Sequence, residues 1–445
     1  MRLPLKWRLW FGRPRRSETD APLCGPGVAG FKMTREIKPA RVPFTPLQKK
    51  ILFALASVVC LRMLGLFLVL PVFTLYGLQF THSRFLVGFA FGCYGLTMAI
   101  LQIPLGRLSD RIGRRKVLLL GMSLFSLGSF ICAAPSLFPS GAQIIVLIVG
   151  RLVQGGGAII SVAFATVADY IQTERRSTAM AILGIPIGAA FVIGVIVGPI
   201  IAGVLGTASL FWITGILAIG TDVLLASYLP EAPPSGAAPV PLGQIIRMKF
   251  LLALDGGGFL MNFFMSTFFF YFPLIVTGRH HLKMTHYYAL LLPMVFISGI
   301  TMFAFTRGAD RGWGTSLAAI AFLIFLPSAI ILFRPSLLGF DPNRLGGILV
   351  AGTLFYIGFT GLEPILPSLV SSAGLENAQG AALGVYNSMQ FLGSFVGGSV
   401  AGVFAHLYAD SSMMGILITA SILGVLLMLA ARSAKSPTGK PGQVS

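Results

Sequence analysis

Five ionisable side chains interrupt the long apolar runs of this sequence and are the first candidates for chemistry. They are Arg62, Arg151, Asp222, Asp255 and Glu363. A carboxyl group removed from water can take up and release a proton as its surroundings change, and a buried guanidinium group can bind an anion or offset an acid. The set therefore predicts proton coupling or charge pairing within an apolar phase.

A second charged group of residues lies between two apolar runs, where residues 106–116 read G-R-L-S-D-R-I-G-R-R-K. So many charges cannot lie in hydrocarbon, so the segment is predicted to be a tight aqueous turn between membrane helices. Asp110, the one acid, can accept hydrogen bonds from a helix N-terminus. The glycines that permit the turn are Gly106 and Gly113, and the basic residues after Asp110 are Arg111, Arg114, Arg115 and Lys116, of which the last three are expected at the lipid headgroups.

The composition and run lengths indicate an all-α polytopic membrane protein. Of the 445 residues, 55% are hydrophobic and 11% are charged, whereas soluble domains are about a quarter charged. The apolar runs have the length of roughly 20 residues that crosses a bilayer, and they do not alternate as barrel strands do. The twelve predicted spans lie near 50–76, 85–105, 117–134, 142–168, 178–204, 208–229, 250–277, 287–306, 315–333, 344–370, 380–405 and 411–431.

The segment 230–249 begins P-E-A-P-P-S-G and is typical of a linker, so it divides the spans six plus six. The predicted organisation is a basic disordered cytosolic tail (1–46), an N-terminal six-helix bundle (47–229), a cytosolic linker (230–249), a C-terminal six-helix bundle (250–431) and a cytosolic tail (432–445). A partial copy of the charged turn, Asp310-Arg311-Gly312, indicates two related halves. Transporters built from repeats bind substrate between the halves.

The basic residues predict the orientation. With the N-terminus inside, 26 of the 33 Lys and Arg residues are cytosolic and five are in outer loops, so both termini are predicted to be cytosolic. The net charge of +19 is then mainly a topology signal, and no soluble domain remains to bind nucleic acid. The four cysteines show no metal or disulfide spacing, and neither a cofactor, a metal site nor an enzyme's nucleophile–base pair is predicted.

Three motifs resemble the major facilitator superfamily of transporters. The turn 106–116 is similar to its signature loop, and R-L-V-Q-G-G-G at 151–157 in the fourth span is a second match. G-V-I-V-G-P at 194–199 in the fifth span resembles the drug–proton antiporter signature, although Ala202-Gly203 replaces its paired glycines. The resemblance implies the major facilitator fold, two bundles of six helices, and makes Gly194, Gly198, Pro199 and Gly203 an antiporter-like motif.

Longer stretches are similar to the YajR-type bacterial efflux proteins in particular. These are L-R-M-L-G at 61–65, L-P-S-L at 366–369, G-V-Y at 384–386 and Q-F-L-G at 390–393. The likeness fails after about 431, where those proteins carry a soluble C-terminal domain and only fourteen residues remain here. It implies a monomeric, multi-pass protein of the bacterial inner (plasma) membrane.

The resemblance also assigns expected roles. Asp110 would contact the start of span 11, near Ala381, and hold the cytosolic side shut, while Asp169 would pair with the basic residues of the loop. Arg151 would act in proton coupling or only in tight helix packing, and both readings stay open.

Among the acids, Glu363 is the first choice for the proton site, because Pro364 and Pro367 are expected to break the helix beside it. Headgroup exposure is an alternative for Asp255, and Asp222 stays open. Polar side chains within spans form the candidate cavity, and they are Gln154, Asn262, Tyr271, Tyr386, Asn387 and Gln390. The aromatic run 268–272 covers every face of a helix, and lipid contact with core packing is favoured there over a cavity role.

Together these residues favour a secondary active transporter that exports small hydrophobic or amphipathic molecules in exchange for protons. Its partners would be a small-molecule substrate, protons and the lipid bilayer. A metabolite uniporter or proton symporter is the alternative within the class, although the motif in the fifth span favours export. A membrane sensor or scaffold that does not transport is the alternative from another class.

Overall fold

The computed structural model describes residues 44–231, 242–373, 379–407 and 410–434, and this part of the chain is helical without strands. Most of the predicted N-terminal tail, residues 232–241 of the predicted linker and nearly all of the predicted C-terminal tail lie outside the described residues. Thr45 onwards forms one compact unit. The first helix begins with a capping box, in which Thr45 and Gln48 satisfy each other's backbone amides.

The first six spans are α1 (Pro46–Val69), α2 (Arg84–Ile112), α3 (Arg114–Ala133), α4, α5 (Thr173–Leu205) and α6 (Ala208–Tyr228). The fourth consists of two pieces, α4a (Ser140–Gly155) and α4b (Ile160–Tyr170). The second six are α7 (Lys249–Gly278), α8 (Tyr288–Gly308), α9 (Gly314–Phe333), α10 (Leu345–Ser371), α11 (Gln379–Leu407) and α12 (Asp410–Ser433). One-turn helices Phe73–Gly77 and Leu242–Ile246 lie in the connections.

The prediction of twelve membrane helices is confirmed. Within the described residues, eleven segments are long and apolar enough to cross a membrane, and one of them, Met284–Phe333, contains both α8 and α9. Between these two helices Gly312 has a φ of 92°, which turns the chain.

The fourth span differs from the continuous helix that its length predicts. Residues 156–159 are not helical, and this segment overlaps the three consecutive glycines at 155–157. Glycine is among the poorest helix formers, at roughly 1 kcal/mol per residue below alanine. The local bonds are turns instead, with the amides of Gly156 and Gly157 donating to the carbonyls of Val153 (2.9 Å) and Gln154 (3.1 Å).

The two halves carry matching features about 200 residues apart. Gly113 has a φ of 101° and Gly312 one of 92°, each beside an Asp-Arg pair. Short 3₁₀ turns also match, at Pro135–Leu137 and Pro335–Leu338. The glycine turns lie at one end of the spans, and we call this the loop end, which carries residues 106–116. The 3₁₀ turns lie at the opposite end, and we call this the far end, which carries residues 134–139 and 334–344.

The halves touch each other mainly towards the far end. Gly88 and Gly92 of α2 lie against the backbone of Gly398, Gly402 and Phe395 of α11. Arg84 donates a hydrogen bond to the carbonyl of Ala405 (3.0 Å).

The aromatic run of α7 corrects the expected lipid contact. All five residues at 268–272 are buried, because α7 packs inside the second half. Phe268 stacks on Phe355 of α10 with ring centroids 4.0 Å apart, and Phe264 stacks on Phe325 of α9 at 4.3 Å. Offset stacking of this kind adds to the packing of aromatic cores.

The expected break at Glu363 is also wrong, because α10 continues as one helix from Leu345 to Ser371 through both prolines. Membrane helices tolerate proline where neighbouring groups satisfy the freed carbonyls. The two prolines free the carbonyls of Thr360 and Glu363, four residues before each of them.

Candidate functional site

In the first half, Arg151 lies in a closed cage. Its side chain is 3% exposed, and Nη1 donates to Oε1 of Gln154 (2.6 Å). Its guanidinium carbon lies over the rings of Phe73 (5.0 Å) and Tyr94 (4.6 Å). Cation–π contacts of this kind stabilise a buried cation when water is excluded.

Arg62 lies on the other side of Tyr94 and is 1% exposed. Its Nε donates to the carbonyl of Gly157 (2.7 Å), and Nη2 donates to the Tyr94 hydroxyl (3.0 Å) and the Met98 sulfur. Nη1 has no hydrogen-bond partner. No ion pair joins either arginine to an acid among the described residues.

Tyr94, Met98 and Gln102 of α2 were not identified as site residues from the sequence. Their spacing of four places them on one helix face. Tyr94 therefore connects the two arginines, while Gln102 is fully buried with neither amide atom paired. The spacing of four could have indicated these site residues in the sequence. It is not specific, because an apolar span contains many pairs of residues that are four apart.

In the second half, Asp255, Glu363 and Tyr386 come together from α7, α10 and α11. The Tyr386 hydroxyl lies within electrostatic range of both carboxylates and has no hydrogen-bond partner. Asp255 is 3% exposed, which does not fit the headgroup alternative, whereas the Glu363 side chain is exposed on α10. Gln390 joins the group, since it lies with Tyr386 against Gly258.

The other candidate residues lie apart from this group. Asp222 accepts a hydrogen bond from Ser123 (3.0 Å) in the first half. Asn262 donates weakly to the carbonyl of Gly258 (3.4 Å), Asn387 is partly exposed on α11, and Tyr271 packs against Phe333 further along α7. Gln154 belongs to the arginine cage, where it also donates to Ser129 (2.9 Å).

At the loop end, Arg114 is the centre of a small ionic network. It binds Asp110 (2.6 Å) and Asp169 (2.8 Å) and donates to the hydroxyl of Ser109 (2.5 Å). Its side chain is 11% exposed because these three side chains bind it, and its expected position at the lipid headgroups stays a prediction. Arg115 is also engaged, donating to the carbonyl of Ala226 at the end of α6 (2.5 Å).

Asp110 is bonded within its own loop in this conformation. Its side chain is 44% exposed and pairs with Arg114, and no hydrogen bond reaches it from the described amides at the start of α11. Gly106 approaches Ser161 of α4b, Gly113 turns the chain, and Arg111 and Lys116 are exposed.

The glycines of α5 face two different neighbours. A side chain at Gly194 or Gly198 would overlap Phe67 or Leu68 of α1. Gly203 lies instead against Thr285, in the second half. Pro199 lies within the helix. The motif thus packs α5 tightly on α1 towards the far end.

The fold and these networks define a membrane transporter of two related halves, and the chain belongs to the Major Facilitator Superfamily. The profile of that family matches residues 55–398. The chain is therefore a multi-pass membrane transporter rather than an enzyme.

Known proteins agree with this assignment. The chain is 31% identical over 401 residues to the inner membrane transport protein YajR of Escherichia coli, covering 88% of this chain and 85% of that protein. It is 28% identical over 376 residues to the multidrug resistance protein MdtL of Klebsiella pneumoniae, covering 76% and 85%. Its fold is similar to that of a bacterial homologue of the human lysosomal transporter Spinster in an inward-facing conformation, with a TM-score of 0.67, 14% identity and coverage of 88% and 98%.

Proposed function

We propose that this protein is a secondary active transporter that exports small hydrophobic or amphipathic molecules in exchange for protons. The observation that carries the proposal is the group formed by Asp255, Glu363 and Tyr386. A carboxylate without an ion-pair partner is costly to keep out of water, and binding a proton removes that cost. Asp255 is buried and Glu363 is exposed on α10, and in this proposal Glu363 is the acid that takes up and releases the proton.

In this proposal the loop end is cytosolic, as the distribution of basic residues indicates. The halves are packed together at the far end, so the conformation corresponds to a cavity that is closed to the outside. Closing the cytosolic side would move Asp110 from Arg114 to the start of α11, while Asp169 keeps Arg114 in place. Protonation of the group formed by Asp255, Glu363 and Tyr386 would accompany this movement of Asp110.

The relatives support export without proving it for this chain. MdtL is named a multidrug resistance protein, and the motif in α5 resembles that of drug–proton antiporters. A monomer in a bacterial inner membrane, with both termini in the cytosol, is part of the same proposal.

Everted membrane vesicles test the proposal. With an acidic lumen, vesicles containing the wild-type protein should accumulate the hydrophobic dye Hoechst 33342, and Glu363→Gln should lose this accumulation. Asp222→Asn is a matched control, because Asp222 is bound to Ser123 outside the acid group, and it should retain it. If imposed pH gradients drive no flux of any hydrophobic cation or dye, the antiport proposal fails.

The direction of flux separates the alternatives within the class. A uniporter would equilibrate its substrate without responding to the pH gradient, and a proton symporter would move it in the direction of the protons. A sensor or scaffold predicts that Asp110→Asn and Glu363→Gln leave the cellular phenotype intact.

A further inference from the structure

The break in the fourth span starts a new helix inside the membrane. α4b begins at Ile160 and runs for eleven residues. The first amides of a helix have no partner within it and form its positive end. Those of Ile160, Ser161 and Val162 donate to no described acceptor.

On the other side of the break, the carbonyl groups already accept hydrogen bonds. The carbonyls of Val153 and Gln154, at the end of α4a, accept the amides of Gly156 and Gly157. The carbonyl of Gly157 accepts Nε of Arg62. Since these negative groups are paired, the positive groups at the start of α4b remain in excess.

Two buried side chains next to the break have unused hydrogen-bonding groups. Nη1 of Arg62 has no partner, and its Nη2 is bonded in part to the Met98 sulfur, which is a weak acceptor. The side-chain amide of Gln102 has no hydrogen-bond partner. The main-chain carbonyl of Gln102 accepts a hydrogen bond from the hydroxyl of Ser161, the second residue of α4b (3.2 Å). Arg62 and Gln102 are thus bonded to opposite sides of the same break.

The chemistry of arginine indicates which kind of ligand this site would bind. A guanidinium group stays protonated in proteins, so Arg62 cannot relieve its burial by losing a proton, as an acid can by gaining one. The Nε of Arg151 is also unpaired, but two aromatic rings and Gln154 surround its guanidinium group. An arginine with a free N–H group and no acidic partner, beside the start of a helix, is an arrangement that can bind an anion.

We propose that the break in α4, with Arg62 and Gln102, binds the oxyanion group of an amphipathic organic anion such as a carboxylate. This inference rests on the proposed function and specifies its substrate class. The site is closed to solvent in this conformation, and the anion enters when the helices around α4 separate. The first half then holds the anion, and the second half holds the proton.

Equilibrium binding to the full-length protein in lipid nanodiscs tests the inference, with 2-naphthoate and its uncharged analogue 2-naphthamide as probes. The wild-type protein should bind the carboxylate more tightly than the amide. Arg62→Gln should weaken naphthoate binding about tenfold or more, since a hydrogen bond to a charged group has that value, and leave the naphthamide affinity nearly unchanged. Arg307→Gln, at the loop end, is the arginine control and should bind both probes as the wild type does.

A wild-type protein that binds the amide as tightly as the carboxylate, or does not bind naphthoate, overturns the inference. So does an Arg62→Gln protein with unchanged naphthoate affinity. If Arg62→Gln does not fold, Gln102→Leu serves instead and should weaken naphthoate binding selectively. Equilibrium binding needs no pH gradient, so naphthoate binding without proton-driven flux of either the dye or labelled naphthoate would refute the antiport proposal alone. Dye flux without discrimination between the probes would refute the anion site alone.

Discussion

Gly88 of α2 and Gly402 of α11 meet backbone to backbone, with no side chain between them. Small residues allow membrane helices to approach this closely and to pack by van der Waals contact. One turn earlier along α2, the bond from Arg84 to the carbonyl of Ala405 holds the same pair of helices. The far end is therefore sealed by main-chain packing, which a side chain at either glycine would disrupt.

We expect Gly88→Leu to open this seal. Overpacking of a closely packed contact costs about 1–3 kcal/mol, which is enough to shift a two-state equilibrium by roughly tenfold. Spin labels on cysteines introduced at His82 and Leu407, in a cysteine-free background, should show a longer distance in the variant than in the parent protein. Dye accumulation in everted vesicles should fall in parallel.

The control for this change is Gly346→Leu. Gly346 lies near the far end, at the start of α10, where an added side chain meets no atom within 4 Å. Its spin-label distance should match that of the parent protein. An unchanged distance in Gly88→Leu would show that α2 and α11 do not form the seal.

The two Asp-Arg pairs should differ in importance. Asp110 belongs to the network around Arg114 and Asp169, whereas no ion pair involves Asp310 among the described residues. Asp110→Asn should therefore reduce dye accumulation by roughly tenfold, the effect of losing a contact of about 1.4 kcal/mol, while Asp310→Asn retains most of it. Thermal stability should change little in either variant, because exposed ion pairs contribute at most about 1 kcal/mol. Equal transport by both variants would show that Asp110 does not help to close the cytosolic side.

Much of the fold could be predicted from the sequence, because span length and the distribution of charge are local properties. The position of α7 could not. Its run at 268–272 meets protein instead of lipid, and both surroundings are equally apolar, so no sequence pattern separates them. The continuity of α10 through Pro364 and Pro367 was missed for a related reason, since the groups that tolerate the prolines come from tertiary packing.

The candidate site was predicted as a set of residues and not as an arrangement. The intramembrane charges were identified because each is unusual in an apolar run, but their grouping depends on which helices are neighbours. Glu363 and Asp255 both lie within electrostatic range of Tyr386, while Asp222 lies in the other half. The break of α4 was missed because the glycines at 155–157 were interpreted as a packing surface, although the same residues also favour unwinding.

Tyr386→Phe should separate stability from transport. The hydroxyl of Tyr386 is buried without a partner, and such a group costs about 1–3 kcal/mol, so its removal should leave the melting temperature unchanged or raise it. Dye accumulation should nevertheless fall, because the phenol lies within electrostatic range of both Asp255 and Glu363. Tyr356→Phe is the matched control, since its hydroxyl is equally buried and unpaired within the aromatic core, and it should keep transport. A loss of transport in both variants would attribute the effect to packing.

The glycines of α5 should divide into two groups that the sequence does not distinguish. Gly198 lies against the main chain of Leu68 in α1, while Gly184, on the same helix, has no atom within 4 Å of the position of an added side chain. Gly198→Val should therefore lower the melting temperature by a few degrees, as overpacking by about 1–3 kcal/mol implies, and abolish dye accumulation. Gly184→Val should melt and transport as the wild type does. Thermal unfolding and vesicle assays on the two variants would check this, and similar behaviour of both would refute a specific role for the contact of α5 with α1.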